Sequence, residues 1–173
     1  MPDTTQIRIL QTLGDGEIQA LSDLLVDCVE GGASVGFMQP MSRAKANAFW
    51  LGVAAGAARG ERILLAAYTA AGAMLGTVQI VFAQFENQPH RADIAKMLVH
   101  RRARRQGVGA ALLAAAERAA AGAGRTLLVL DTASRDAERL YAKLGWLPCG
   151  VIPRFALMPD GGFCDTTLFY RSL

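Results

Sequence analysis

The residues with the clearest chemical purpose in this chain lie between Ile94 and Leu113. A strand-like stretch ending at Val99 runs into a basic cluster, Arg101, Arg102, Arg104 and Arg105. Gln106-Gly107-Val108-Gly109-Ala110 follows, and then a run dense in Ala and Leu, strong helix formers. The first N–H groups of a helix lack internal partners and carry partial positive charge, so they suit a phosphate. Gly107 and Gly109 let the backbone approach closely, with no Cβ in the way. The arginines add charge-assisted, often bidentate bonds to phosphate oxygens. The pattern predicts a pyrophosphate site built mainly from backbone, spanning Arg104, Arg105, Gln106, Gly107, Val108, Gly109 and Ala110.

Two widespread phosphate motifs fit less well. A P-loop ends in Gly-Lys-Ser/Thr at the helix start, whereas Val108-Gly109-Ala110 stands here. The dinucleotide fingerprint has two matching glycines and an acidic residue, Asp131, at about the right distance. Its third glycine position is Leu112, and a long basic loop separates Val99 from Gly107.

The elements that must position this segment follow from periodicity and turn residues. A strand is predicted at Ile7–Leu10 and a helix from about Glu17 to Val29, stopped by Gly31-Gly32. Residues 31–40 read as a loop, and Ser42 as the cap of a second helix reaching about Ala57. Strands follow at Arg62–Thr69, Met74–Ala83 and Asp93–Val99, then a helix from Gly107 to about Ala121. An apolar strand at Thr126–Leu130, a short helix at Asp136–Leu144 and a closing hairpin, Val151–Met158 with Phe163–Tyr170, complete the chain. The order β-α-α-β-β-β-α-β-α-β-β predicts an α/β fold with a mixed sheet and parallel crossovers in its second half.

Composition agrees. At 173 residues, residues 1–173 read as one domain, large enough to fold without disulfide or metal. Apolar residues are 52% and charged residues 19%, which excludes a disordered chain. Cys28, Cys149 and Cys164 are widely spaced, and His90 and His100 are the only histidines, so no metal site is expected. No apolar run reaches the roughly 18 residues of a membrane span. The first six residues do not read as a secretory leader. The expected location is the cytoplasm, with no membrane partner.

Arg104-x-x-Gly107-x-Gly109 after a strand resembles the Q/R-x-x-G-x-G/A signature of the GNAT acetyltransferase superfamily. The second half is similar too. The family's Asn-x-x-Ala-x-x-x-Tyr, followed by Gly and an aromatic residue, reads here Ser134, Ala137, Tyr141, Gly145 and Trp146. Ser134 departs from the usual Asn and puts one cofactor contact in question. The resemblance implies a GNAT-like fold with acetyl-CoA between the fourth and fifth strands. It also implies that Met97, Leu98 and Val99 offer backbone to the pantetheine arm. Gly31–Met38, Arg91-Ala92-Asp93, Leu130-Asp131-Thr132 and Pro159-Asp160-Gly161 resemble a toxin-resistance branch of the same family, which acetylates an acceptor of amino-acid type.

Acetyl transfer to an amine requires loss of the ammonium proton, a donor for the oxyanion, and an acid for the leaving thiolate. The resemblance implies direct transfer in a ternary complex, and no Cys or Ser sits in a nucleophile motif that would argue otherwise. Tyr141 is the candidate acid; its plainer alternative is a ring packed on its helix. Asp131 reads as base or ammonium anchor, or as a helix cap or ion-pair partner. Asp93 shares the pocket if the two strands are neighbours, or is a solvated strand end. The Val99 N–H is the candidate oxyanion donor. Ser34 and Phe37 are candidates for the acceptor side, in a loop whose glycines otherwise merely end a helix. Trp50 is expected to pack on the sheet, and His100 to be structural.

Other classes remain. The Arg cluster alone would suit nucleic acid, but aromatics are only 7% and no RNP-like or zinc-finger pattern is present. Within the enzyme class, a protein N-terminus or lysine is a second kind of acceptor. The chain is expected to act as a monomer or homodimer on a small-molecule amine, without nucleic acid.

Overall fold

A computed structural model describes residues 5–173. The reading of the first six residues lies mostly outside that range. Strand β1 (Gln6–Ile9) leads to helices α1 (Asp15–Glu30) and α2 (Arg43–Ala58), then strands β2 (Arg62–Tyr68), β3 (Met74–Phe82) and β4 (Arg91–Val99). A single 3-10 turn, Arg101–Ala103, precedes α3 (Val108–Gly122). Strand β5 (Leu127–Thr132), helix α4 (Arg135–Lys143) and strands β6 (Leu147–Leu157) and β7 (Phe163–Ser172) follow. The strands form one seven-stranded sheet in the order β1-β2-β3-β4-β5-β7-β6. The predicted element order and the mixed sheet are both present. There is one parallel crossover, β4–α3–β5; the final hairpin inserts β7 antiparallel beside β5, so no second one forms.

Alternation along the strands divides the core in two. Leu65 and Ala67 of β2 point to the layer containing α3, while Leu64, Ala66 and Tyr68 point to the layer containing α1 and α2. Helix α3 supplies Val108, Leu112, Leu113, Ala116 and Ala120 to the first layer. The second holds Leu21, Leu25 and Cys28 of α1 and Trp50 and Val53 of α2. Ser42 caps α2, its Oγ accepting the Lys45 N–H at 3.2 Å. Trp50 is fully buried and packs edge-on against Phe49 at 4.9 Å between ring centroids, as expected of a packing residue.

Strand β4 breaks the alternation. Ile94 belongs to the α3 layer, yet Leu98, also an even position, belongs to the α1/α2 layer. The register against β3 jumps from Gln79↔Ala95 to Thr77↔Leu98, so one extra residue is bulged out. Lys96 sits in this bulge with φ of 48°, a left-handed conformation uncommon for a side chain with a Cβ.

The outermost strand, β6, is almost wholly exposed. Pro148, Pro153, two register shifts and Arg154 at φ 54° interrupt its free edge, which opposes edge-to-edge pairing.

The cysteines are unpaired. Burial pushes the Cys28 thiol up to about 11, and the thiol donates to the Val99 carbonyl at 3.6 Å. Cys149 is exposed. With a thiol-specific reagent at about pH 8, Cys149 is expected to react in the folded protein and Cys28 only after denaturation. Peptide mapping of the labelled protein checks this; rapid labelling of Cys28 in the native state would show that the α1–β4 packing is loose.

Candidate active site

The site begins where two strands part. Strands β4 and β5 pair in parallel only from Arg91↔Leu127 to Asp93↔Val129. Beyond that point β4 is bent by the bulge, and the two strands separate. The gap is a cleft of about 1420 Å³. It runs from the N-terminus of α3 at one end to the α1–α2 loop and the β6–β7 hairpin at the other. Parting strands leave backbone groups free. His100 donates to the Leu75 carbonyl at 2.9 Å, so Val99, opposite Gly76, occupies a non-hydrogen-bonded pair of the β3–β4 ladder. Its N–H therefore faces the opening. Met97 and Leu98 line the same wall.

At the α3 end the backbone forms the cradle. The first helical bond is Ala111 N–H to the Gly107 carbonyl, at 3.0 Å, which leaves the N–H groups of Val108, Gly109 and Ala110 outside the helix's own bonding. Gly107 sits just before the helix with φ of 82°, and a Cβ there would meet nothing within 4 Å. Its glycine is thus required by backbone conformation. Gly109 has a different reason. A Cβ there would lie 3.2 Å from Leu140, so it permits α3 to approach α4. The arginines divide their roles. Arg101 is pinned by Asp27, which accepts its backbone N–H and its Nε, each at 2.9 Å. Burial pushes the Asp27 carboxyl up, but the hydrogen bonds and charge of Arg101 act against it, and the group is held below its ordinary value. Arg104 leans back, its Nε donating to the Val99 carbonyl at 3.3 Å. Arg105, at φ 61°, lines the cleft. Gln106 does not: its amide donates to the Arg102 carbonyl at 2.9 Å and holds the turn. His100 accepts the Arg102 N–H, a structural role as expected. Three free N–H groups, a left-handed glycine and flanking guanidinium groups fit a pyrophosphate.

The middle of the cleft gathers the titratable groups. Asp131 ends β5 and accepts the Thr166 hydroxyl at 2.7 Å; Thr166 is 2% exposed, so one carboxylate oxygen is held by a buried donor. Tyr141 of α4 is buried, and its ring packs against Trp146 and Phe169 at 6.1 and 5.7 Å between centroids. Burial, with the Asp131 charge adding to it, pushes the Tyr141 hydroxyl up to about 12. It keeps its proton at neutral pH. Asp93 also lines the cleft, and as the strands are neighbours it shares the pocket with Asp131. Arg91 binds one of its oxygens at 2.7 Å, so it is an ion-pair partner as well.

The short helix α4 explains the Ser134–Trp146 pattern locally. Ser134 is the cap, its Oγ accepting the Ala137 N–H at 3.3 Å. Both residues line the cleft. At the other end Gly145, at φ 85°, turns the chain so that the Trp146 N–H reaches the Tyr141 carbonyl at 3.0 Å. Trp146 is then locked by Glu117, which accepts its indole N–H at 2.8 Å and pairs with Arg171 at 3.3 Å. A Cβ on Gly145 would lie 2.8 Å from Arg171 Nη1. Gly145→Ala is expected to cost about 1–2 kcal/mol from the left-handed conformation alone, read as a lower midpoint in urea unfolding. Unchanged stability would mean that the turn relaxes and does not hold Tyr141.

At the far end, Ser34 bridges to the hairpin, 3.5 Å from the Leu157 carbonyl and 3.6 Å from Cys164 Sγ. The Gln39 N–H donates to the Pro159 carbonyl at 2.9 Å. Gly31 and Gly32 do end α1, and the loop after them also walls the cleft. Phe37 is outside the lining. It stacks edge-on against Phe49 at 5.2 Å, because the apolar surface of α2 offers it better burial than the open cleft. The residue that spacing did not single out is Lys96. Its ammonium stands 5.8 Å from the Phe49 ring, on the wall facing the α1–α2 loop. Burial pulls it below its ordinary value, opposed by the Asp131 charge. One signal was available: it is one of only three lysines, and the lone charge within Ile94–Val99. Thr166 carries no local signal.

A sequence profile of the acetyltransferase (GNAT) family matches residues 19–146. Solved structures agree in fold. A candidate acetyltransferase of Acinetobacter baylyi ADP1 is 18% identical and superposes with a TM-score of 0.82 over 100% of this chain and 95% of its own. An N-acetyltransferase of Staphylococcus aureus Mu50 gives 0.80 at 16% identity, over 98% of each chain. The yncA protein of Salmonella typhimurium, solved with its cofactor acetyl-CoA, gives 0.78 at 19% identity, over 98% of this chain and 94% of its own.

Proposed function

Since the chain belongs to the acetyltransferase (GNAT) family, whose cosubstrate is acetyl-CoA, we propose that its cleft brings acetyl-CoA and the amine of a small molecule together for direct transfer. The observation that carries this is the parting of β4 from β5 immediately beside the free N-terminus of α3. One gap thus joins an anion cradle to a pocket of proton-handling groups.

Acetyl-CoA, when bound, supplies a thioester-activated acetyl group. The Val108, Gly109 and Ala110 N–H groups, with Arg104 and Arg105, hold its pyrophosphate. The walls at Met97, Leu98, Val99, Ser134 and Ala137 border its arm. The Val99 N–H offers a donor where negative charge would grow on the acetyl oxygen. Asp131, oriented by Thr166, anchors the acceptor ammonium or takes its proton, directly or through water. Asp93 adds negative charge to that end of the pocket. Tyr141 keeps its proton at neutral pH and can give it to a departing sulfur.

The contacts Ser34–Leu157 and Gln39–Pro159 draw the loop and the hairpin together across the acceptor side. That closure supports a small acceptor over a protein lysine or N-terminus. The likeness of Gly31–Met38 and Leu130-Asp131-Thr132 to the tabtoxin resistance protein supports an acceptor of amino-acid type. This reading treats residues 1–173 as one catalytic domain acting as a monomer or homodimer in the cytoplasm. It needs neither nucleic acid nor a membrane. No helix among the described residues is long and apolar enough to cross a membrane.

Calorimetric titration with acetyl-CoA, with NAD as the control, at two salt concentrations, tests the reading. The expected result is saturable one-site binding of acetyl-CoA alone. No binding would reduce the Gly107–Gly109 pattern to a structural helix start, and the arginine cluster would then be tried against nucleic acid.

A further inference from the structure

We infer that Lys96 anchors an anionic group of the acceptor, so that the molecule acetylated carries a carboxylate or similar anion close to its amine. The inference rests on the acetyltransferase reading above and specifies its acceptor.

The first observation is placement. Lys96 occupies the extra position of the β4 bulge, on the sheet face that carries α1 and α2. Its ammonium lines the cleft, and a Cβ added to Gly36 would lie 3.6 Å from it. Gly36 belongs to the loop that walls the acceptor side. Lys96 thus reaches the end of the cleft opposite the α3 N-terminus, away from the pyrophosphate cradle.

The second observation is what surrounds it. A partly buried ammonium normally has a carboxylate beside it, because leaving water without a partner is costly. No carboxylate lies within 4.0 Å of Lys96 among the described residues, where the six Arg–carboxylate pairs all leave it aside. Its near neighbour is the Phe49 ring. Asp131 acts on it through space without touching it. Had Lys96 served only to neutralise Asp131, the two would pair directly. Instead a cation and an anion face one cleft with a gap between them. A molecule with an ammonium on one atom and an anion a few bonds away fits such a gap. Its ammonium goes to Asp131 and its anion to Lys96.

The third observation is the backbone. A left-handed conformation suits Gly or Asn, and a lysine there retains strain that its side chain must justify. The bulge that turns Met97 and Val99 to the α3 layer and Leu98 to the α1/α2 layer also aims Lys96 at the acceptor. One device sets both walls.

The test uses paired probes, the common L-amino acids and their carboxamides, which keep the amine and remove the charge. Each is titrated into protein saturated with CoA, where no transfer occurs, and assayed for thiol release with acetyl-CoA. The expected result is that the acids that bind do so about tenfold to a hundredfold more tightly than their carboxamides, the range of one charge-assisted hydrogen bond. Lys96→Met is expected to erase that preference by weakening the acids alone, with CoA affinity and thermal midpoint unchanged. Lys96→Arg is expected to keep much of it. Carboxamides bound as well as acids, or a preference that survives Lys96→Met, would overturn the inference. So would CoA-saturated protein that takes no member of either set, while the cofactor reading stood. Failure of CoA itself to bind would instead overturn the acetyltransferase reading on which the inference rests.

Discussion

Gly107→Asp is expected to lower acetyl-CoA affinity by about a hundredfold or more, equivalent to losing one or two charge-assisted bonds. The reason is competition, not collapse. A Cβ at this position meets nothing within 4 Å, and the helix start itself favours a carboxylate. The new side chain would take the free N–H groups of α3 for itself. It would also place negative charge where the pyrophosphate must lie. Gly107→Asn is the informative partner. Asn tolerates φ of 82° nearly as well as any residue with a side chain, and it adds no charge. It should retain much more affinity than the Asp variant. Gly109→Asp is expected to weaken binding as well, with added crowding from a Cβ 3.2 Å from Leu140. Calorimetry on the three variants, with thermal midpoints as the folding control, decides the matter. Unchanged affinity in both Asp variants would remove the pyrophosphate from the start of α3.

Tyr141→Phe is expected to lower kcat by about a hundredfold, within the range of general-acid contributions, with acetyl-CoA affinity nearly unchanged. Packing should survive, since the contacts of the ring with Trp146 and Phe169 do not involve the hydroxyl. The pH dependence has a definite sign. The hydroxyl is pushed up to about 12, so it keeps its proton throughout the neutral and mildly alkaline range. Wild-type turnover should therefore show no alkaline decline from Tyr141 below about pH 11. The same shift bears on stability. The unfolded chain releases this proton from its ordinary value of 10.0, so burial of the neutral phenol costs stability only above that pH. A kcat equal to wild type in the Phe variant would take Tyr141 out of the chemistry and leave it as the packing residue it also is.

Much of this molecule is local, and local features are legible in a linear string. The order of elements follows from apolar period, glycine stops and caps such as Ser42, because each needs only a few neighbouring residues. The proposed phosphate cradle is equally local: Gly107, the free N–H groups and the arginines lie within one turn and one helix start. Even the Ser134–Ala137 and Tyr141–Gly145–Trp146 spacings prove to be a cap at each end of one short helix. Local reading went astray where a side chain has a choice of partners. Phe37 and Gln106 sit in the right segments, yet Phe37 finds the Phe49 ring and Gln106 the Arg102 carbonyl.

The sequence by itself determined the fold class and the family resemblance, and it singled out the start of α3, Asp131 and Tyr141 as groups worth testing. Only the tertiary structure decided how the cleft is closed and charged. The separation of β4 from β5 depends on a bulge visible only against β3. The orientation of Asp131 depends on Thr166, thirty-five positions away and brought near by β7 inserting beside β5. The placement of Lys96 in the cleft depends on the same bulge turning one residue out of register. The physical reason is common to all three. Backbone conformation and helix ends are set by neighbours in sequence. The environment of a charge is set by whatever the folded chain places around it.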